Sequence, residues 1–281
     1  MPATAARLPG DRLHLQHGPI DLVIGAEGPG REAAFAAAAR RFAPLLDELV
    51  GELPLLRRPL GRQRPLGPVA RRMARAVEPH GRRHFVTPMA AVAGAVADEV
   101  LAAMLASGGL SRAYVNDGGD IAIYLAPDQT YRAGMAGLDA STLGRVEIRA
   151  GDGIGGIATS GRGGRSLSFG IADSVTVLAA TAAAADAAAT LVANEVDLPG
   201  HPAIARCPAS DIQADSDLGE RLVTRAVGAL TAGETAAALD RGLKEARAMR
   251  SLGLIAGAAL FLNGCARVLT PLPMTEALAH A

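Results

Sequence analysis

The sequence predicts an α+β protein, and three observations carry that expectation. A block of short apolar segments with strand character lies between two alanine-rich stretches with helix character, and further helical patterns flank both sides. Hydrophobic residues make up 49% and charged residues 20% of the 281 positions, a globular composition that excludes global disorder and a collagen-like chain. Sixty residues are alanine and 33 glycine, against eight Phe and Tyr and no Trp. Small side chains on that scale let helices approach a sheet or a ligand closely. The expected architecture is mixed or antiparallel sheets packed with Ala-rich helices, in a single two-lobed unit over residues 1–281. The Pro/Arg-rich loop near 54–68 is the best boundary between lobes.

Residues 12–16 and 19–25 predict two short strands around Gly18. Residues 32–50 place apolar side chains at helical spacing with acids and arginines opposite, which predicts one helix. After the 54–68 loop, residues 69–77 predict a short basic helix. Its Arg71, Arg72 and Arg75 read either as a solvated face or as phosphate contacts. Thr87-Pro88 opens a long helix to about Leu105, because Thr caps well, Pro suits the first turn, and Gly108-Gly109 ends it. Strands follow at 113–116, 120–125, 131–135, 145–148, 156–159 and 174–178. Thr181 caps the second alanine-rich helix to about Val196. Residues 233–250 form a third amphipathic helix, and 253–268 return as apolar strand.

Charge excludes several function classes. Basic and acidic residues balance at 28 each, so no net field draws the chain to nucleic acid or an anionic membrane. Lys244 is the single lysine, in Gly-Leu-Lys-Glu-Ala, so there is no Gly-Lys-Ser/Thr phosphate loop. A Schiff-base enzyme would have to use that helical, charged-context lysine. Cys207 and Cys265 lack CxxC or Cys/His spacing, which argues against a disulfide framework and a structural zinc. His80 and His84 are four apart, but Pro79 and Gly81 argue against a regular helix between them. No Ser/His/Asp order with a nucleophile elbow is present. The first residues lack the apolar core of a signal peptide, and the longest clean apolar run, 252–262, is too short to span a bilayer. A soluble, cytoplasmic protein is expected.

Four segments could carry chemistry. Thr87-Pro-Met-Ala-Ala-Val-Ala-Gly-Ala-Val-Ala-Asp98 is a helix start without bulk. Its N–H groups suit a phosphate or carboxylate, or it is simply packed tightly on a sheet. Asn116-Asp117-Gly118-Gly119-Asp120 reads as a hairpin turn, or as a place where a ligand reaches the backbone. Gly155 to Gly164, including Thr159, Ser160, Gly161 and Arg162, offers donors to anionic oxygens, or is a surface loop. Asp186 and Thr190, four apart in a run of alanines, share one helix face. They suit a hard cation such as Mg²⁺, or Asp186 is a buried acid satisfied by backbone.

Taken in order, these segments resemble the ApbE superfamily, the magnesium-dependent flavin transferases. The residues that carry the resemblance are Gly118-Gly119-Asp120-Ile121, Ala158-Thr159-Ser160-Gly161, and Ser174-Val-Thr-Val177 through Ala185-Asp186-Ala187 to Ala189-Thr190. Val92-Ala93-Gly94-Ala95-Val96-Ala97-Asp98 is similar to the family's Ala-Lys-Gly-x-Ala-Val-Asp helix. The stretch from Thr87 to Gly94 looks closest to a bacterial and archaeal branch of that superfamily. Two departures stand out: Ala93 takes the place of the family's lysine, and a His-Ile-Ile-Asp-Pro segment is missing before Ser174.

The resemblance implies an ApbE-like fold that binds FAD or a related flavin nucleotide with Mg²⁺. It further implies passage of FMN to a Thr or Ser of a protein acceptor, with release of AMP. It makes Asp186, Thr190 and the carbonyl of Ala90 the metal ligands. Gly94, Asp98, Asn116, Gly118, Gly119, Asp120, Thr159, Ser160 and Gly161 would form the nucleotide side, with Asp98 toward the adenosine. The alternative is a non-catalytic carrier of a flavin, pterin or other nucleotide-like cofactor with a degenerate transferase site. The expected partners are thus a flavin nucleotide or similar small molecule and a protein acceptor, with neither nucleic acid nor membrane. A homo-oligomer built on the Ala-rich helices is a third, structural reading.

Overall fold

The computed structural model describes residues 2–136, 142–164 and 166–270. It is α+β, and the chain divides into two units that interleave in sequence. The first takes Met1–Tyr131, Ile148–Ala158 and Ala179–Ala187; the second takes Arg132–Glu147, Thr159–Leu178 and the chain from Ala188 onward. The 54–68 loop, expected at a lobe boundary, lies inside the first unit. Glu52 explains part of this, because its carboxylate accepts the backbone N–H groups of Leu66 and Gly67 at 2.7 Å and ties the loop down.

The first unit is built on an antiparallel sheet. Strands β1 (Thr4–Leu8), β2 (Arg12–His17), β3 (Ile20–Glu27), β4 (Arg112–Asp117) and β5 (Asp120–Leu125) follow one another, and β8 (Gly156–Ser160) adds against β5. Alternation along β2 and β3 turns Leu13, Leu15, Leu22 and Ile24 into the core. Helix α1 (Arg31–Phe42) buries Ala34, Phe35, Ala38 and Phe42. It packs on β3 and on α4 (Val92–Leu105).

The single helix expected over 32–50 is two helices, α1 and α2 (Leu45–Leu56). Pro44 separates them, since a proline inside a helix removes a hydrogen bond and collides with the carbonyl four residues back. Helix α3 (Pro68–Val77) starts on a proline as expected, with Val69, Met73 and Val77 inward.

The long helix expected from Thr87 begins instead as a 3-10 turn, Pro88–Ala91, whose Met89 N–H is accepted by the Thr87 hydroxyl. The chain is offset at Ala91 (φ −134°, ψ 17°) before α4 starts. Pro88–Leu105 is long and apolar enough to cross a membrane on length and composition alone. In this fold α1, α3, β4 and β5 take up its surface.

In the second unit β9 (Ser174–Ala179), β12 (Gly257–Leu262) and β13 (Cys265–Leu269) run antiparallel, and α7 (Ala232–Ser251) covers β12 and β13. The apolar strand expected over 253–268 is this β12–β13 hairpin, turned at Asn263 and Gly264, which both take positive φ. Strands β6 (Thr130–Ala136) and β7 (Thr142–Arg149) pair, as do β10 (Ile204–Pro208) and β11 (Leu222–Val227), with α6 (Ala209–Ile212) between the latter two. Met135, Ala259 and Phe261 form a small core with Leu143, Ala266 and Val268. Helix α5 (Ala182–Glu195) passes from the first unit into the second.

Candidate functional site

Helices α4 and α5 cap each other. The Gly94 N–H, in the first turn of α4, donates to Asp186 Oδ2 of α5 at 3.1 Å, and the Ala93 N–H also bonds that carboxylate. In the other direction Asp98 of α4 accepts the first amides of α5: Ala182 N–H to Oδ1 at 3.0 Å and Ala183 N–H to Oδ2 at 2.9 Å. The Thr181 hydroxyl takes the next one, from Ala184, at 3.2 Å. Residues 94 and 98 on one helix thus meet 186 and 182 on the other. Four-residue spacing puts each pair on one face, so the two contacts form rungs of an antiparallel ladder. Both helix N-termini, with their unpaired amides and positive dipole ends, receive a carboxylate from the neighbouring helix.

Two expectations change as a result. The amides at the start of α4 are not open to a ligand anion, because Asp186 already occupies them. Asp98 does not stand free at a nucleotide: both its oxygens are used by α5. Its carboxyl is held above the ordinary range by burial, partly offset by the Ala183 and Ala182 amides and by the charge of Arg72. Asp98→Ala is expected to cost about 2–4 kcal/mol, from two unpaired amides at a helix start. Asp98→Asn should recover part of that, since its amide oxygen can still accept one bond. Urea unfolding at pH 7 checks both.

Next to Asp98, Glu99 is bound by Arg41 Nε at 2.9 Å and Arg72 Nε at 2.8 Å. Its pKa is lowered: burial works against the charge, but the two arginines outweigh it. Arg41 also grips Glu48 of α2, so these pairs tie α1, α2 and α3 to α4. No local spacing marks this cluster, whose members are spread over more than fifty residues.

Gly94 is the point of closest approach. A Cβ there would sit 2.3 Å from the Ala182 carbonyl oxygen and 2.7 Å from the Ala183 nitrogen. Only glycine lets α4 come near enough to donate to Asp186.

Asp186 as a whole residue is half-buried, while its carboxyl lies deep in the protein. Burial pushes its pKa well above the ordinary carboxylate range. The negative charges of Asp120 and then Asp117 push the same way, against the bonds from Gly94 and Ala93. Among the described residues no basic side chain pairs with it, and no three His, Cys, Asp or Glu side chains converge as a metal-holding group. Asp117 is the residue that sequence reasoning left out of the candidate set. Its signal was present in Asn-Asp-Gly-Gly-Asp, and the β4 register turns it inward while Asp120 stays half-exposed.

The Gly118-Gly119 turn is a two-residue hairpin between Asp117 and Asp120, with φ of +62° and +113°. Asn116 Oδ1 accepts the Gly119 N–H at 2.8 Å. The turn therefore has its own structural reason, and it also sets Asp117 and Asp120 at the strand ends.

The first unit holds Ala90, Gly94, Asp98, Asn116, Gly118, Gly119, Asp120 and Asp186; the second holds Thr159, Ser160, Gly161 and Thr190. In the second unit the exposed Thr159 shares a 2.9 Å hydroxyl contact with buried Thr176. The Arg162 guanidinium binds Asp173 through Nε at 2.9 Å, and the Arg162 N–H reaches the Ala172 carbonyl at 2.9 Å. Asp173 also accepts the Asn263 N–H at 2.6 Å. The Ser160–Gly164 loop is thus anchored, and its arginine is already paired. Thr190 lies one turn beyond Asp186 on α5 and is half-buried.

A pair of alanine-rich helices that cap one another, on an antiparallel sheet with an Asp-Gly-Gly-Asp hairpin, defines the architecture. The chain belongs to the family described as AbpE bacteria, which it matches over residues 5–268. It is 34% identical over 182 residues to a UPF0280 protein of Methanopyrus kandleri, spanning 62% of this chain and 69% of that one. A UPF0280 protein of Methanothrix thermoacetophila is 40% identical over 131 residues, 46% of this chain and 52% of that one. The chain thus spans about half the length of this second curated relative. Among solved structures it is similar to an ApbE protein of Thermotoga maritima, with a TM-score of 0.48 at 12% identity over 94% of this chain and 96% of that one. It is also similar to the apo flavinyl transferase ApbE of Pseudomonas stutzeri, with a TM-score of 0.40 at 14% identity over 68% and 82%.

Proposed function

We propose that this protein binds FAD or a closely related flavin nucleotide with Mg²⁺ and transfers FMN to a hydroxyl of a protein acceptor. Asp186 carries the reading. Its carboxylate is deep, opposed by the charges of Asp120 and Asp117, held in place by the Gly94 amide, and lacks a cationic side-chain partner. A buried acid under like-charge pressure is costly unless a cation relieves it. A hard cation that keeps waters and takes phosphate oxygens suits a site with one carboxylate and neutral oxygens around it.

In this reading Asp186, the Thr190 hydroxyl and the Ala90 carbonyl hold the metal. The backbone departs from helical dihedrals at Ala91, next to that carbonyl. Gly118, Gly119 and Asp120, with Asn116, serve the nucleotide side within the first unit. Gly94 orients Asp186, and Asp98 acts indirectly by fixing the start of α5. Mg²⁺ would neutralise charge on the pyrophosphate and on the departing phosphate. The acceptor hydroxyl oxygen bonds to the FMN phosphorus, the bond from that phosphorus to the AMP phosphate oxygen breaks, and AMP leaves. The hydroxyl proton goes to solvent.

A second reading is a carrier that holds the flavin nucleotide intact. Ala93 at the family's lysine position favours it, as does Arg162, whose guanidinium is committed to Asp173. The test is incubation of metal-free protein and an excess of FAD with and without MgCl₂, with chromatography of the nucleotides. With water standing in for the acceptor hydroxyl, the transferase reading expects FMN and AMP in equal amounts, and only when Mg²⁺ is present. Bound FAD recovered intact supports the carrier, and FAD that never binds overturns both.

A further inference from the structure

Positive charge in this electrically neutral chain is concentrated in one stretch. Residues 52–83 hold nine arginines against two acids, while the rest of the chain holds nineteen basic and twenty-six acidic residues. Both acids of the stretch are consumed internally. Glu52 accepts the amides of Leu66 and Gly67, and Glu78 pairs with Arg64 at 2.6 Å. That leaves Arg58, Arg62, Arg71, Arg75 and Arg82 exposed, with no carboxylate partner among the described residues. Arg71 and Arg75 are one turn apart on α3, whose other face buries Val69, Met73 and Val77. Five like charges repel one another, so their free surface carries an electrostatic cost that an anionic partner would remove.

Apolar surface accompanies the charge. Leu66, near the end of the loop, is 80% exposed, the highest value among the exposed large hydrophobic residues described. Val50, two residues before Glu52, is 56% exposed. The Glu52 bonds fix the backbone at Leu66 itself, and Pro59, Pro65 and Pro68 restrict the same loop. The exposed leucine is thus presented on a preorganised segment, which lowers the ordering cost of binding. No Phe, Tyr or Trp lies between residues 43 and 84, which is against a single-stranded nucleic acid. An aliphatic anchor among arginines has the composition of a protein interface.

We propose that the α3 face and the loop before it, residues 57–67, form a docking surface for an acidic protein segment that also carries aliphatic side chains. The proposal stands independently of the flavin reading. Arginine supplies the attraction and fork-like recognition of carboxylates, and Leu66 supplies the apolar contact.

The test uses the full chain and fluorescence anisotropy with four labelled probes: a 16-residue peptide alternating Glu with Leu, a Glu/Ser peptide of equal charge, a 20-base-pair DNA duplex, and vesicles containing phosphatidylserine. The Glu/Leu peptide is expected to bind best, with affinity falling steeply as salt rises. Arg62→Glu/Arg71→Glu/Arg75→Glu should weaken it about tenfold or more. Leu66→Ser should weaken it about fivefold while leaving the salt dependence unchanged. All four positions are exposed, so unchanged circular dichroism and Tm are expected of both variants. Equal binding of the two peptides, an unaffected triple variant, or preference for duplex or vesicles would each overturn the proposal. So would concentration-dependent self-association that the triple variant abolishes, since a second copy would then be the occupant.

Discussion

Gly94→Ala is expected to destabilise the protein by about 3 kcal/mol, against the sign that helix propensity gives. In an exposed helix interior the same change stabilises by about 0.8–1.0 kcal/mol. Here the new Cβ would lie 2.3 Å from a carbonyl oxygen and 2.5 Å from the carbonyl carbon of Ala182. Both are backbone atoms, so no rotamer change relieves the contact. The helices must separate, which lengthens the Gly94–Asp186 bond and disturbs the Asp98 rung one turn further on. Urea unfolding at pH 7 measures the change. A variant as stable as the parent would mean that α4 and α5 are not held this closely.

Asp186→Asn should make the metal-free protein more stable at neutral pH while removing Mg²⁺ binding. Asn keeps an oxygen to accept the Gly94 amide but drops the charge that burial, Asp120 and Asp117 oppose. A rise in Tm of about 2 °C or more is expected without metal, with Mg²⁺ affinity lowered at least about 100-fold. The pH dependence has a definite sign. The folded-state pKa of Asp186 lies above the unfolded one, so the native state binds the proton more tightly. That contribution is complete below the unfolded value near about 4 and is lost as pH rises through the raised folded value. Metal-free wild type should therefore lose stability across that window, and Asp186→Asn should lack this component. Thermal melts from pH 4 to 8 in the absence of divalent cations check it. This is the trade of stability for a functional group that a binding site makes.

Much of the fold was legible because periodicity and caps were strong. The β4–β5 hairpin, α3 and both alanine-rich helices fall within a few residues of their expected bounds. The breaks were harder. Apolar spacing continues across Pro44, so α1 and α2 read as one helix until the proline is given its full weight. Asn263-Gly264 is a strong hairpin signal that a continuous apolar run obscured. At the site, the Asp186/Thr190 spacing and the Asp-Gly-Gly-Asp turn could be read from sequence. The partners of Asp98 could not, because an alanine amide in a distant helix leaves no mark on a side-chain pattern. The same holds for the need for glycine at 94, which follows from the proximity of Ala182 rather than from any local turn.

Isothermal titration of metal-free protein with FAD, with and without Mg²⁺, in wild type and Asp186→Asn tests the proposed metal–flavin site most directly. Mg²⁺-dependent binding in the wild type, absent from a variant that is folded and more heat-stable, is the predicted result. Equal FAD binding by both proteins, or binding indifferent to Mg²⁺, would contradict a cation held at Asp186.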